Sequence, residues 1–291
     1  MNAWVRLLRP PQWIKNSFVL APLLFSGRAR DLDAVLAAAV AFVAFCVMAS
    51  GVYALNDAVD RESDRAHPTK RLRPVAAGTI SPRAAIIASG VLIVAGLVIA
   101  WQGTVGLGVA AGAYVVINLL YSFALKSVVI LDVFALSSFF VLRLVAGAAA
   151  IGVQASIWLL LCGALLSLYL GFAKRRHELS IVAQDPTRHR SVLSHYSAAF
   201  LDQMSAVLLS VTVVAYIMYS LTSETAALVG SQRLAYSTVF VLYGVFRYLY
   251  VVHEKDGGSP TEALLTDPAL LVTVALWLMY CGWVIYQPFQ G

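Results

Sequence analysis

Long apolar blocks recur nine times along this chain, and that recurrence limits what it can fold into more than any other feature. They fall at approximately 13–26, 33–56, 83–101, 104–122, 129–150, 156–173, 198–221, 233–251 and 268–286, separated by charged or turn-forming stretches. About twenty residues of α-helix cross about 30 Å of hydrocarbon with the interior backbone N–H and C=O groups satisfied inside the segment. Composition agrees, since 60% of the 291 residues are hydrophobic and 12% are charged, a balance no water-soluble domain of this size presents to solvent. The expected architecture is all-α, a polytopic bundle of about nine transmembrane helices, with residues 1–291 forming one membrane domain. The first strongly apolar stretch follows Arg6, Arg9 and Lys15 with no small-residue cleavage site before the next span, so that helix is expected to be retained. Cys46, Cys162 and Cys281 stand singly inside apolar blocks and read as packing residues, not as a disulfide framework or metal site.

A net charge of +6 raises the question of a nucleic-acid partner, but in a membrane protein Lys and Arg first of all fix topology. With a cytoplasmic N-terminus, fifteen of them fall in inside segments, Arg83 at a boundary, and only Arg28, Arg30 and Arg233 outside. No nucleic acid is expected, and the polar chemistry gathers on the cytoplasmic side, in loops at about 57–82 and 174–197. Arg143 and Arg247 lie within spans, where each either faces a polar cavity or snorkels from near a helix end.

The second block runs directly into Asn56-Asp57-Ala58-Val59-Asp60-Arg61-Glu62-Ser63-Asp64-Arg65. Continued as a helix, this stretch places Asn56, Asp60 and Asp64 one turn apart on one face, with Asp57 adjoining. Carboxylates so close repel unless a cation lies among them, and Mg2+ takes hard oxygen ligands, commonly one or two carboxylates completed by substrate phosphates. The alternative is a solvated helix end whose acids pair with Arg61 and Arg65.

His67-Pro68-Thr69-Lys70-Arg71-Leu72-Arg73-Pro74 follows at once, two prolines bracketing three cations. Beside an acid-held metal, Lys70, Arg71 and Arg73 suit a departing phosphate or pyrophosphate, whose developing charge needs stabilising; alone, they suit a topology signal. The second loop opens with Lys174-Arg175-Arg176-His177-Glu178-Leu179 and later carries Arg188, His189, Arg190 and Tyr196. It is either a second anion site or a positive cap on the sixth span.

The string from Asn56-Asp57 through Asp60, Asp64-Arg65, Pro68, Lys70-Arg71 and Arg73-Pro74 to Gly78 resembles the first aspartate-rich motif of the UbiA superfamily of membrane prenyltransferases. The Tyr121-Ser122-x-x-Leu125-Lys126 stretch is similar to that superfamily as well, and the resemblance covers nearly the whole chain. It implies a UbiA-like bundle with a cytoplasmic-side active site. Most members carry a second aspartate-rich motif in the later loop; here the basic Lys174-Arg175-Arg176 stretch stands in that place. That stretch resembles one branch, the decaprenyl-phosphate phosphoribosyltransferases. So do Arg9-Pro10-Pro11-Gln12-Trp13-Ile14-Lys15-Asn16, Tyr196 through Asp202-Gln203, Tyr243-Gly244-x-x-Arg247-Tyr248 and Gly257-Gly258-Ser259-Pro260-Thr261-Glu262.

The resemblance implies transfer of 5-phosphoribose from phosphoribosyl pyrophosphate to a polyprenyl phosphate, releasing pyrophosphate, with Mg2+ as cofactor, for a cell-envelope polysaccharide precursor made at the bacterial plasma membrane. It assigns Asn56, Asp57, Asp60 and Asp64 to metal and pyrophosphate, with Asp57, Asp60 and Asp64 catalytic, and Lys70, Arg71 and Arg73 to donor phosphates. Lys174, Arg175 and Arg176 fall to the donor 5-phosphate or the acceptor phosphate, with Lys15, Lys126, Tyr196, Gln203 and Arg247 contributing. Two rival functions are prenyl transfer to an aromatic acceptor, disfavoured by the missing second acidic motif, and a carrier. A carrier needs acids near the midplane, and only Asp132 and Asp202 approach the spans.

Overall fold

The computed structural model describes residues 2–66, 69–184, 191–222, 225–227, 232–254 and 266–287. His67, Pro68, Arg188, His189, Arg190, Lys255 and the 257–262 run lie outside the described residues. Among those described, eight helices are long and apolar enough to cross a membrane. In chain order the helices are α1 (Ala3–Leu8), α2 (Ala21–Phe25), α3 (Leu32–Val59), α4 (Arg61–Ala66), α5 (Pro82–Gly103), α6 (Val105–Phe123), α7 (Leu131–Ala150), α8 (Ile157–Gln184), α9 (Ala198–Leu221), α10 (Thr238–Glu254) and α11 (Pro268–Tyr286). The chain forms two compact units, the first of Met1–Leu23, Arg28–Lys126 and Phe139–Ala155, the second of Leu24–Gly27, Ser127–Ser138 and Ser156–Gly291.

The first apolar block differs from the expected spanning helix: it forms a 3₁₀ segment, Pro10–Leu20, followed by the short α2. Pro22 lacks the N–H that a continuing α-helix would donate to the Phe18 carbonyl, whereas Pro10 and Pro11 stand at the first two positions, where none is needed. Side chains supply other partners, Trp13 Nε1 donating to Ser50 Oγ at 3.0 Å and Asn16 Nδ2 to Cys46 Sγ at 3.2 Å. Irregular backbone at membrane depth is tolerated where protein buries it, and Asn16 and Val19 are fully buried.

Within the first unit α3 and α5 approach closely because small residues line the seam. A Cβ added at Gly96 would run into the Met48 side chain and stand 2.9 Å from the Ala44 carbonyl; one at Gly51 would stand 3.0 Å from the Ser89 carbonyl. Polar side chains start these helices: Asp31, Ser81 and Thr104 each accept the N–H of the residue three places on. The opposite face of α5 turns Ile87, Val91, Val94 and Val98 outward, an apolar stripe at helical spacing that only hydrocarbon can solvate. Arg143 does not snorkel. It is buried, donating to Asn16 Oδ1 at 2.7 Å, the Phe139 carbonyl at 2.8 Å and Tyr114 Oη at 3.2 Å.

In the second unit Tyr169, Leu209, Tyr248 and Leu270 bring α8, α9, α10 and α11 into one core. A second cluster joins Val133, Phe172, Val192, Tyr196 and Leu201. There α7 passes so close to α8 that a Cβ at Gly171 would press on Val133 Cγ1 at 2.6 Å.

Candidate active site

In the first unit α3 delivers Asn56 and Asp57 at its last turn and stops at Val59, with Asp60 leaving the helical region (φ −87°, ψ 10°) before α4 begins. The turn at Asp60 is slight: the Asp60 N–H still donates to the Asn56 carbonyl and the Asp64 N–H to the Asp60 carbonyl, both at 2.8 Å, so the one-turn spacing of Asn56, Asp60 and Asp64 is kept across it. The side chains nevertheless take different partners, Asp57 and Asp64 sharing Arg73 while Asp60 pairs with Lys126. Arg73 Nη1 donates to Asp64 Oδ2 at 2.7 Å and reaches Asp57 Oδ1 at 3.4 Å. The N-terminal Arg9 also donates to Asp57 Oδ1, from a left-handed backbone position (φ 52°) and over the Tyr53 ring. Burial pulls the Arg9 guanidinium below its ordinary range, with Asp57 opposing the shift.

The loop that carries Arg73 is packed down rather than loose. Val75 and Ile80 bury against Leu7, Ala54 and Ala85, and Arg6 Nη2 donates to the Leu72 carbonyl at 2.5 Å. Gly78, at φ 77°, reverses the chain so that the Thr79 and Ile80 N–H groups both donate to the Pro74 carbonyl, at 3.0 and 3.1 Å. Lys70 and Arg71 stand exposed on the same loop. Asn56 and Asp60 face the end of α6 in register: Ser122 Oγ donates to Asn56 Oδ1 at 2.7 Å and Lys126 Nζ to Asp60 Oδ1 at 2.8 Å.

Among the described residues no three His, Cys, Asp or Glu side chains gather at metal-binding spacing. Carboxylates not sharing a metal must be neutralised some other way, and here Arg9, Arg73 and Lys126 do it. One atom is left over. Asp57 Oδ2 is buried with no hydrogen-bond partner among the described residues, an arrangement that costs free energy unless a donor or cation arrives. Asp57 and Asp64 therefore fit one hard divalent ion whose remaining ligands are phosphate oxygens and water, in a pocket already supplied with guanidinium groups.

In the second unit the basic end of α8 is sorted by burial. Lys174 and Arg176 remain largely accessible, while the Arg175 side chain is fully buried. Arg175 Nε donates to Asp132 Oδ2 at 2.6 Å and its Nη1 to Glu178 Oε2 at 2.5 Å. Arg176 pairs with Asp202 of α9 at 2.9 Å, beside the exposed Gln203. Tyr196 is turned inward, donating to Asp132 Oδ1 at 2.8 Å and accepting the Ile130 N–H at 2.6 Å. Burial pushes its hydroxyl up to about 12, so at neutral pH it holds its proton for Asp132. Arg247 is half-buried and gripped at two points by Asp267, at 3.1 and 2.8 Å. Lys15 is half-buried on the 3₁₀ segment. Sequence reasoning assigned no site role to Arg9, Asp132, Asp202 or Asp267. The usable signal was there for Asp132, a carboxylate inside an apolar block that had to find a cation.

The sequence profile described as the UbiA prenyltransferase family matches residues 17–274. A decaprenyl-phosphate phosphoribosyltransferase of Mycolicibacterium smegmatis is 35% identical over 98% of this chain and 93% of its own length. One of Corynebacterium glutamicum is 32% identical over 98% and 87%. Among solved structures, a UbiA homolog from Archaeoglobus fulgidus bound to GPP and Mg2+ superposes with a TM-score of 0.71 at 18% identity, covering 98% of this chain and all of that one. On its helical bundle and on these full-length similarities, this multi-pass membrane protein belongs to the UbiA prenyltransferase family.

Proposed function

We propose that this protein is a Mg2+-dependent polyprenyl-phosphate phosphoribosyltransferase, acting at the cytoplasmic face of a bacterial plasma membrane in the synthesis of a cell-envelope polysaccharide precursor. The observation that carries the reading is that the chain has an acidic pocket in its first unit and, in its second, a basic α8 end where the family's second acidic motif would stand. Likeness over nearly the whole length to two decaprenyl-phosphate phosphoribosyltransferases supports it.

The chemistry asks little covalent help from the protein. An anionic oxygen of the lipid phosphate attacks the anomeric carbon of phosphoribosyl pyrophosphate, the bond to the pyrophosphate oxygen breaks, and pyrophosphate leaves with the electron pair. No side-chain nucleophile is needed, so catalysis consists of alignment and electrostatics. A bound Mg2+ supplies neutralisation of pyrophosphate charge. Asp57 and Asp64 hold that ion, with Asn56 and Asp60 completing the acidic pocket, while Arg73, Lys70 and Arg71 take the oxygens that gain charge as the bond breaks. Arg9 pairs with Asp57 beside them. Lys126 fixes Asp60. Lys174 and Arg176 take a substrate phosphate, the donor 5-phosphate or the lipid head, and Lys15, Gln203 and Arg247 each contribute to substrate binding. Arg175 and Tyr196 serve from behind.

The test is incubation of purified protein with labelled phosphoribosyl pyrophosphate, polyprenyl monophosphate and Mg2+. Label is expected in the organic phase. Label that stays aqueous, while a parallel incubation with a prenyl diphosphate and 4-hydroxybenzoate yields product, assigns the chain to aromatic prenyl transfer instead.

A further inference from the structure

Asp132 and Arg175 form an ion pair whose two side chains are both fully buried, at the junction of α7 with α8. The pair does not stand alone. Asp132 Oδ1 accepts the Tyr196 hydroxyl at 2.8 Å, and that hydroxyl in turn accepts the N–H of Ile130 at 2.6 Å. Ile130 sits at φ 68°, in the left-handed region, where a β-branched residue is strained and persists only when its surroundings over-determine it. On the other side Arg175 Nη1 donates to Glu178 Oε2 at 2.5 Å, and the second oxygen of that carboxylate lies 3.9 Å from Lys174 Nζ. A chain of hydrogen bonds thus runs from a strained backbone amide, through a buried charge pair, to the Glu178 carboxylate, which lies at ion-pair distance from an exposed ammonium group.

Stability does not explain the chain. A buried pair of opposite charges is commonly no better than an apolar pair of the same volume, because desolvation offsets the attraction. A Lys–Glu pair one turn apart on a helix, with the lysine exposed, is by itself loose and worth little. Tying the Glu178 carboxylate to a guanidinium that cannot move converts that loose pair into a fixed one.

We propose that Asp132 is a positioning residue of the transfer reaction, holding the Lys174 ammonium through Arg175 and Glu178 so that it meets a phosphate group of one substrate in a set place. Arg175, which by sequence is an anion ligand itself, acts through Lys174 instead. The inference rests on the assignment of Lys174 as a phosphate ligand.

The experiment measures KM for phosphoribosyl pyrophosphate and for polyprenyl phosphate, with kcat and thermal unfolding, in Asp132→Asn, Lys174→Ala and the double variant of the full-length protein. Each single substitution is expected to raise KM for the same substrate about tenfold, with kcat changed less than about threefold. The double variant is expected to be no worse than Lys174→Ala, because the group being positioned is already gone. Unchanged KM in Asp132→Asn, or effects that multiply in the double variant, overturn the proposal, as a merely structural pair would lower the unfolding temperature without that pattern. Unchanged KM for both substrates in Lys174→Ala removes the phosphate-ligand assignment and the proposal with it; a KM raised by Lys174→Ala but not by Asp132→Asn removes the proposal alone. Should Asp132→Asn fail to fold, Tyr196→Phe cuts the same chain at its hydroxyl, and a rise of about threefold in the same KM is expected. No change there overturns the proposal equally.

Discussion

Lys126 Nζ lies 2.8 Å from Asp60 Oδ1, one helical turn beyond the contact between Ser122 and Asn56. The two rungs join the chain at the end of α6 to the end of α3 and give Asp60 a cationic partner of its own. Both partners of the pair are about one-third exposed, so the ion pair contributes little stability, and its use is to set where the Asp60 carboxylate points.

Asp60→Asn and Asp64→Asn are expected to lower turnover at least a hundredfold, a loss of about 3 kcal/mol of transition-state stabilisation. The membrane-embedded helices should remain folded in both. Lipid-phase label transfer and thermal unfolding of the purified variants check this, and normal turnover in either removes the metal-site assignment.

Arg9→Gln tests a residue that the sequence placed in a family-like stretch but gave no role. Asp57 would keep only the longer contact to Arg73, at 3.4 Å, against a buried unpaired oxygen. Losing a charge-assisted bond to a buried carboxylate costs about 2 kcal/mol, so kcat/KM should fall ten- to a hundredfold. Activity equal to the parent protein would mean that Arg73 alone suffices.

Gly96→Val addresses the seam of α3 and α5. The added Cβ collides with Met48 and stands 2.9 Å from the Ala44 carbonyl, so overpacking of about 1–3 kcal/mol is expected. The unfolding temperature in detergent should drop, with the KM values of the surviving folded protein unchanged.

Chelation of divalent metal should abolish turnover, and Mg2+ added back should restore it. Pyrophosphate with Mg2+ should raise the unfolding temperature more than either alone, since ligands that bind the native state together stabilise it by mass action. An identical midpoint with all three combinations would argue against a shared metal and pyrophosphate pocket.

Direct displacement at the anomeric carbon inverts configuration, so an α-linked donor should give a β-linked lipid product. Nuclear magnetic resonance of that product reads the linkage, and an α product points to a two-step route.

The apolar blocks and the placement of Lys and Arg were enough to establish a membrane bundle, because hydrocarbon admits few folds and each span must satisfy its own backbone. Among the described residues eight of the nine blocks are helices long and apolar enough to span; the first is not, because Pro22 interrupts it and Asn16 serves neighbouring helices rather than the segment itself. The acidic run was legible as a candidate site because charges beside an apolar span need a reason to be there. Its pairing was not. Helical spacing sets Asp57 and Asp64 two turns apart, but whether Arg73 would reach both depended on a loop pinned by Val75 and Ile80, which spacing along the chain does not encode.

Period and charge along the chain thus decided the solvent, the fold class and which stretches hold chemistry, since these follow from transfer free energies that each segment carries locally. Packing decided which like residues have unlike roles: of Lys174, Arg175 and Arg176, adjacent and equal in charge, one is buried on Asp132 and the others are left accessible. Helical rotation of about 100° per residue separates them, and only the helices gathered around α8 determine which direction is inward.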